Sequence, residues 1–222
     1  RQVPYSDTVA LSVENLTLQG SYHDVSFQLH QGEILGIAGV SGNGQTGLAG
    51  LIAGLKRPVT GSIAVDGQII ARPSPKTMLK AGVGRIPEDR HQEGIIGTLS
   101  LADNLVIEQL DDPAVQRFGI LRRTEIKAAA HQRCADYDVR GPGVDAEARL
   151  FSGGNIQKMI LARVFEQNPK LILANQPTRG LDMGASAEVR RRLLEARKRG
   201  AAVVLISEDL DEVLALSDRI LV

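Results

Sequence analysis

The stretch "ILGIAGVSGNGQTG", Ile34–Gly47, runs an apolar segment into a glycine loop and then into a threonine. A buried strand that feeds a glycine-rich turn and a helix is the layout of a phosphate-binding loop. Glycines let backbone N–H groups point inward, the helix amino end adds partial positive charge, a lysine reaches the outer phosphates and a hydroxyl ligates magnesium. Gly39, Ser41, Gly42, Asn43, Gly44 and Thr46 meet that pattern, with Thr46 as the candidate magnesium ligand, but Gln45 stands where the lysine belongs. On these residues alone two readings stand open, a nucleotide loop without its cation and a plain glycine-rich turn between strand and helix.

Working outward, "VALSVENLTL" (Val9–Leu18) and "DVSFQLHQGEILGIAG" (Asp24–Gly39) alternate apolar and polar residues before the buried run, so antiparallel strands are expected to feed one central strand. Helical spacing covers Thr46–Ala53, closed by Gly54, and "GSIAVDGQII" (Gly61–Ile70) reads as a hairpin turning on Asp66 and Gly67. From Leu99 to Tyr137 the pattern is helical, clearest in Leu101–Leu110 and Thr124–Tyr137. Beyond it, helix and strand alternate: Phe151–Gln167, Lys170–Gln176, Gly184–Arg199, Ala201–Ser207 and Glu208–Ser217. That alternation implies an α/β fold with a parallel sheet and crossover helices.

The chain has 222 residues, enough for one large α/β domain, and its 26 basic residues balance its 26 acidic ones, so no strong pull toward nucleic acid or anionic lipid is expected. Cys134 is the single cysteine and has no internal disulfide partner, which suits a reducing cytosolic compartment. His23, His30, His91 and His131 lack metal-ligand spacing. The run "AAVVLIS" is far too short to span a bilayer, so any membrane role is peripheral. Arg1 is not an initiator methionine and "DRILV" reads as a strand just beginning, from which a module excised from a longer polypeptide is expected.

"FSGGNIQKMILAR" (Phe151–Arg163) resembles the signature motif of ABC-transporter ATPases, with Asn155 replacing the usual glutamine. "LILANQPTRGLD" (Leu171–Asp182) is similar to the family's Walker B strand and D-loop, and "AVVLISEDLDEV" (Ala202–Val213) to its switch strand and following helix. The segments "GRIPEDRHQEG" (Gly84–Gly94) and "QPTRGLDMGA" (Gln176–Ala185) resemble the second, degenerate half of fused monosaccharide and nucleoside importer ATPases. The resemblance implies an ABC-type P-loop nucleotide-binding domain. Its parallel-sheet core spans about residues 1–97 and 161–222, with an amino-terminal antiparallel β layer and a helical subdomain inserted at about 98–160.

The same resemblance makes the chemistry a survey of losses. Asn175 and Gln176 occupy the places of the magnesium-holding aspartate and the water-polarising glutamate, Glu208 that of the switch histidine, and Glu88 that of the Q-loop glutamine. An amide cannot take up the water's proton. The chain's own catalytic positions Gln45, Asn175, Gln176 and Glu208 are therefore expected to hydrolyse ATP poorly or not at all, although the backbone cradle remains. By contrast Phe151, Ser152, Gly153, Gly154 and Gln157 of the signature and Asp182 of the D-loop are retained. The implied arrangement is head to tail, with Ser152 and its glycines capping ATP bound, with Mg²⁺, on a second ABC ATPase domain, expected in the same polypeptide. Transmembrane permease subunits, an extracytoplasmic solute-binding protein and a place on the cytoplasmic face of the membrane follow from the same resemblance. So does a groove near Glu88–Leu105 that receives the permease's coupling helix.

Other readings remain beside it. Glu88 or Glu208 could serve as a substitute base in an active ATPase, the domain could be a soluble ABC protein acting on DNA or ribosomes, or it could be a scaffold that binds no nucleotide. Arg190, Arg191, Arg192, Arg197, Lys198 and Arg199 read as a solvated helix face with cations near its carboxyl end, not as a nucleic-acid surface. Glu88, Asp89 and Arg90 fit a salt-bridged turn as well as a functional loop, and Tyr22 is the candidate for stacking on adenine.

Overall fold

The structure, a computed structural model, describes residues 5–18, 22–39 and 44–222, with Tyr22 described by its backbone alone. Three strands and a glycine loop open the chain: β1 (Val9–Leu18), β2 (Tyr22–His30) and β3 (Ile34–Ala38), followed by α1 (Gln45–Ile52). Next come β4 (Thr60–Val65), β5 (Gln68–Ile69), α2 (Pro75–Lys80) and β6 (Val83–Ile86). The middle of the chain holds α3 (Leu101–Val106), β7 (Gln116–Arg117), β8 (Ile120–Leu121) and α4 (Arg123–Asp136). It closes with α5 (Gly153–Phe165), β9 (Leu171–Asn175), α6 (Met183–Lys198), β10 (Ala202–Ser207), α7 (Leu210–Leu216) and β11 (Arg219–Leu221).

Two sheets carry the architecture. One is antiparallel, ordered β2-β1-β4-β5, and the other is parallel, ordered β11-β3-β10-β9-β6. Every residue of β10 is buried, as a central parallel strand requires. Its side chains sort by parity. Ala202, Val204 and Ile206 join α1, β1 and β4 in one apolar cluster, while Val203 and Leu205 join α3, α4, α5 and α6 in the other. The helical segment from Leu101 to Phe165 thus shares a continuous core with one face of the parallel sheet.

Local chemistry sets the element ends. Asp66 and Gly67 both adopt positive φ, 53° and 75°, in the tight turn joining β4 and β5. Ser74 caps α2 reciprocally with Thr77, and Pro75 takes the first helical position. The expected helix Leu101–Leu110 stops at Val106, because tight turns take over: Gln109 N–H donates to Val106 O and Asp112 N–H to Gln109 O. A small hairpin, β7–β8, then interrupts the stretch expected to be helical, turning on Phe118 and Gly119 at φ 54° and 81°. The arginine-rich face of α6 is bound up in ion pairs: Arg190 with Asp209 and Glu212, Arg191 with Glu188 and Glu195, Arg192 with Glu188, and Arg197 with Asp218.

Candidate functional site: a nucleotide edge and a signature face

Parallel strands β3, β10 and β9 lie side by side in register, Ser207 opposite Ala38 and Ile206 opposite Asn175. Their carboxyl ends therefore present Gly39, Glu208, Asn175 and Gln176 along one edge, the edge at which open α/β sheets bind ligands. Gly44 stands at the amino end of α1 with φ 94°, a conformation that suits glycine. Thr46 is exposed, while Gln45 Nε2 is buried without a hydrogen-bond partner, close enough to Gly39 that a Cβ there would meet it at 2.4 Å. The loop residues Ser41, Gly42 and Asn43, and the side chain of Tyr22, lie outside the described residues.

Walker B positions are amides held in place by backbone. Gln176 has φ 49°, donates its N–H to Ile206 O at 2.8 Å, and accepts the Glu208 N–H on its Oε1 at 3.2 Å. Asn175 and Gln176 are 9% and 8% exposed. The switch strand is fixed from behind, where buried Ser207 Oγ donates to Glu212 Oε2 at 2.8 Å and accepts the Asp209 N–H. This set suits hydrogen bonding to nucleotide, and at Asn175 and Gln176 it offers a metal ion amides and not carboxylates. Among the described residues no group of three or more His, Cys, Asp or Glu side chains is placed to hold a metal ion.

The signature face is built differently. Ser152 is exposed at the amino end of α5, yet its side chain caps no helix N–H. It accepts instead from Asn155 Nδ2 at 2.9 Å, and Asn155 Oδ1 accepts the Arg140 N–H at 2.7 Å. A backbone N–H can only donate, which fixes the amide's orientation and leaves the Ser152 hydroxyl proton for an outside acceptor. Phe151 is buried against Gly141, which has no side chain in the way. Asp182 caps α6 by accepting the Ala185 N–H at 2.8 Å. Ser152, Gly154, Asn155, Asp182 and Gly184 line one concavity of about 540 Å³ with the charged side chains of α4 and α6. Beside it, Lys158 and then Arg140 hold the Asp138 carboxyl below its usual range. Arg191, supported by Arg192, takes Glu188 down to about 2 against the opposing effect of burial.

Signature helix and D-loop segment are tied together. Gln157 Nε2 donates to Pro177 O at 2.9 Å in the interior, and Arg90 donates to Arg179 O at 2.7 Å and Gly180 O at 3.2 Å. Glu88 pairs with Arg179 at 2.5 Å, so its carboxylate is engaged by the D-loop segment. The two stretches that singled out the subgroup in the sequence, Gly84–Gly94 and Gln176–Ala185, thus meet in space. No spacing rule announces the contact, since 89 residues separate Arg90 from Arg179.

A larger concavity of about 840 Å³ lies between α2, β6 and the segment after α3, lined by Met78, Arg85, Glu108, Leu110, Asp111 and Gln167 among others. The stretch Glu88–Leu105, near which a groove for the permease is expected from the sequence, contributes none of the lining residues of this concavity, whose walls come from residues on either side of it. Its floor is wired to α5: Glu108 forms an ion pair with Arg163, which is 5% exposed, and accepts from Gln167.

The family model described as ABC transporter matches residues 22–179. The chain is 39% identical over 219 residues to the nucleoside import ATP-binding protein NupA of Lactococcus lactis subsp. cremoris, covering 96% of this chain and 43% of that protein. It is 46% identical over 204 residues to the glucose import ATP-binding protein TsgD13 of Haloferax volcanii, covering 90% and 36%. It therefore spans less than half the length of these curated relatives. Among solved structures, a bacterial ABC transporter cassette, MJ0796, superposes with a TM-score of 0.77 at 21% identity, over 95% of this chain and 92% of that one. With its strand order, its glycine loop and its signature helix set in that frame, the chain belongs to the ABC transporter family and has the family's ATPase-domain fold.

Proposed function

We propose that this chain is a degenerate ATPase half of an importer for simple sugars or nucleosides, which completes the ATP site of a partner ATPase domain while hydrolysing little itself. The observation that carries the reading is the contrast between the two faces. At the sheet edge the places of the magnesium-holding and water-polarising acids are taken by the amides Asn175 and Gln176, and Glu208 brings a negative charge where a histidine would meet the γ-phosphate, whereas at the signature an exposed serine hydroxyl is oriented with its proton uncommitted. Loss of a general base lowers a rate by about 10²–10⁴, and loss of an electrostatic stabiliser by about 10²–10³. These effects do not add within one catalytic unit, yet any one makes the own site slow.

On this reading the partner's nucleotide supplies a γ-phosphate, and this chain's residues do the orienting. Ser152 donates its hydroxyl proton to a phosphate oxygen, and the amino end of α5 adds its partial positive charge. The glycines Gly39 and Gly44 and the residues that follow at the start of α1 are the side of the site on which ATP or ADP would rest, without a lysine. Met183, 90% exposed, and Leu150, 61% exposed, add apolar surface near the signature and D-loop, as a face pressed against a second ATPase domain needs. The groove at Met78, Arg85 and Leu110 receives the permease subunit, an extracytoplasmic binding protein delivers the solute, and the domain sits peripherally on the cytoplasmic side. No helix among the described residues is long and apolar enough to cross a membrane. The sugar or nucleoside class is supported by the import proteins to which the chain is similar.

The test is single-turnover ATP hydrolysis by the assembled transporter with the partner's catalytic glutamate replaced. Turnover is expected to vanish, and a rate near that of the intact complex would refute the reading. The rival reading of an active ATPase in its own right predicts that surviving rate.

A further inference from the structure

Arg90 occupies a position that neither packing nor charge complementarity explains. Its guanidinium lies against the amino end of α5, so near that a Cβ on Gly153 would stand 3.1 Å from both Nε and Nη2. A cation at the positive end of a helix dipole is disfavoured. Its Nε is buried without a hydrogen-bond partner, a further cost. What the side chain gains is a fork across two consecutive carbonyls, Arg179 O and Gly180 O, both on exposed residues that water could otherwise serve. Such an arrangement adds little to global stability and much to the relative placement of three segments.

Those segments are the Glu88 turn, the loop Pro177–Asp182 and the start of α5. The turn is a compact body. Asp89 accepts the N–H groups of His91 and Gln92 at 2.9 Å, Glu93 N–H donates to Asp89 O at 2.9 Å, and Gly94 O accepts from Arg163 at 2.8 Å. Arg85, at the mouth of that turn, pairs with Glu93 at its far end and lines the large groove. A displacement of the groove wall therefore moves the turn, and the turn is bolted through Arg90 and through Glu88–Arg179 to the D-loop segment.

We propose that Arg90 is a positioning residue that locks Pro177–Asp182 to the amino end of α5, so that movement of the groove wall is delivered to the signature and D-loop, the parts facing the partner's ATP, and not to the chain's own nucleotide edge. This rests on the reading of the signature as half of a composite site. Lysine cannot replace the fork, because one ammonium does not span two carbonyls in a fixed plane.

The experiment uses the full-length polypeptide in complex with its permease. Hydrogen exchange is followed at Arg179, Leu181 and Ala185, whose N–H groups are bonded within or just after the loop, together with the ratio of solute-stimulated to basal ATP turnover, in Arg90→Lys and Arg90→Ala. Both variants should exchange about tenfold faster at those amides, the scale set by losing one hydrogen bond of ordinary strength, while β10 amides are unchanged and the stimulation ratio falls toward one. Unchanged exchange in the loop overturns the lock, and faster exchange with an intact ratio overturns the transmission. Ser152→Glu, run in parallel, separates the premises. If it leaves turnover intact the composite-site reading fails whatever Arg90 does, and if it abolishes turnover while both Arg90 variants behave like the parent, the lock alone fails.

Discussion

Asn155→Asp exchanges one nitrogen for an oxygen and should silence the signature serine without unfolding the domain. In the native geometry Asn155 Nδ2 donates to Ser152 Oγ at 2.9 Å while Oδ1 accepts the Arg140 N–H at 2.7 Å. An aspartate keeps the second bond and reverses the first, so the serine hydroxyl must donate to the carboxylate. A hydrogen bond to a charged acceptor contributes about 1.5–3 kcal/mol. Breaking it to reach a phosphate oxygen removes that much transition-state stabilisation, or about 10- to 150-fold in kcat/KM. The fold is not at stake: the third residue of α5 is where the helix dipole favours an anion, by about 0.3–1 kcal/mol. Melting temperature should therefore hold or rise as turnover falls, a pair of changes that a packing defect does not produce. The assay is ATP turnover by the assembled ATPase pair against ATP concentration, with melting on the same preparation, repeated in the Ser152→Ala background. There the aspartate should add little, since both residues act through one hydroxyl. A kcat/KM equal to the parent's, or a full further loss on top of Ser152→Ala, would refute the reasoning.

Three other perturbations follow from the structure. Arg163→Met removes a side chain, 5% exposed, that serves Gly94 O, Asn104 O and Glu108, and urea unfolding should show a loss of about 1–3 kcal/mol, the cost of leaving buried acceptors without their donor. Glu188 is lowered from 4.5 to about 2 in the folded state, chiefly by Arg191; its contribution is thus complete above the unfolded value and lost as pH falls toward the folded one, and Glu188→Gln should flatten that stretch of the stability–pH curve measured by urea melts. Gln45→Lys places a cation at the nucleotide loop and should tighten ATP binding by about 10- to 150-fold in calorimetric titration, from about 1.5–3 kcal/mol for one charge-assisted contact; unchanged affinity would favour a scaffold that binds no nucleotide.

Legibility in the sequence followed the range of the forces involved. The Asp66–Gly67 turn and the strands Val9–Leu18 and Ala202–Ser207 were readable because their determinants are local: two residues that tolerate positive φ, and unbroken or alternating apolar runs. Helix α2 carries an equally local signal in Ser74-Pro75 but is short, and it went unread. Hairpin β7–β8 was hidden inside a helical stretch, since two-residue strands have no period to detect and Phe118, 90% exposed, adds an apolar residue that no core claims. At the site, the contacts between motif residues were not legible. That Asn155 serves Ser152, and that Glu88 and Arg90 serve the D-loop segment, depends on chain crossings that composition and spacing do not encode.

On the proposed reading, those crossings bear on how a half-site loses its chemistry and keeps its place. A turn that answers to its own nucleotide edge is constrained by that nucleotide's charge. Here the acid at its start is neutralised by Arg179, and the arginine at its middle is spent on two carbonyls, so Glu88 and Arg90 are both committed to the D-loop segment. At the sheet edge Asn175 and Gln176 leave no buried carboxylate unpaired, because an amide is satisfied by neutral donors and acceptors, as Gln176 is by the Glu208 N–H. On that reading the signature has no such freedom, since its serine is to present a proton to a partner's phosphate and its helix begins at Gly153 and Gly154. On the same proposed reading, loss at one edge and retention at the other are a single arrangement: amides stand at Asn175 and Gln176 in place of two acids, and the charges of the Glu88 turn hold in register the face that a partner's phosphate would meet.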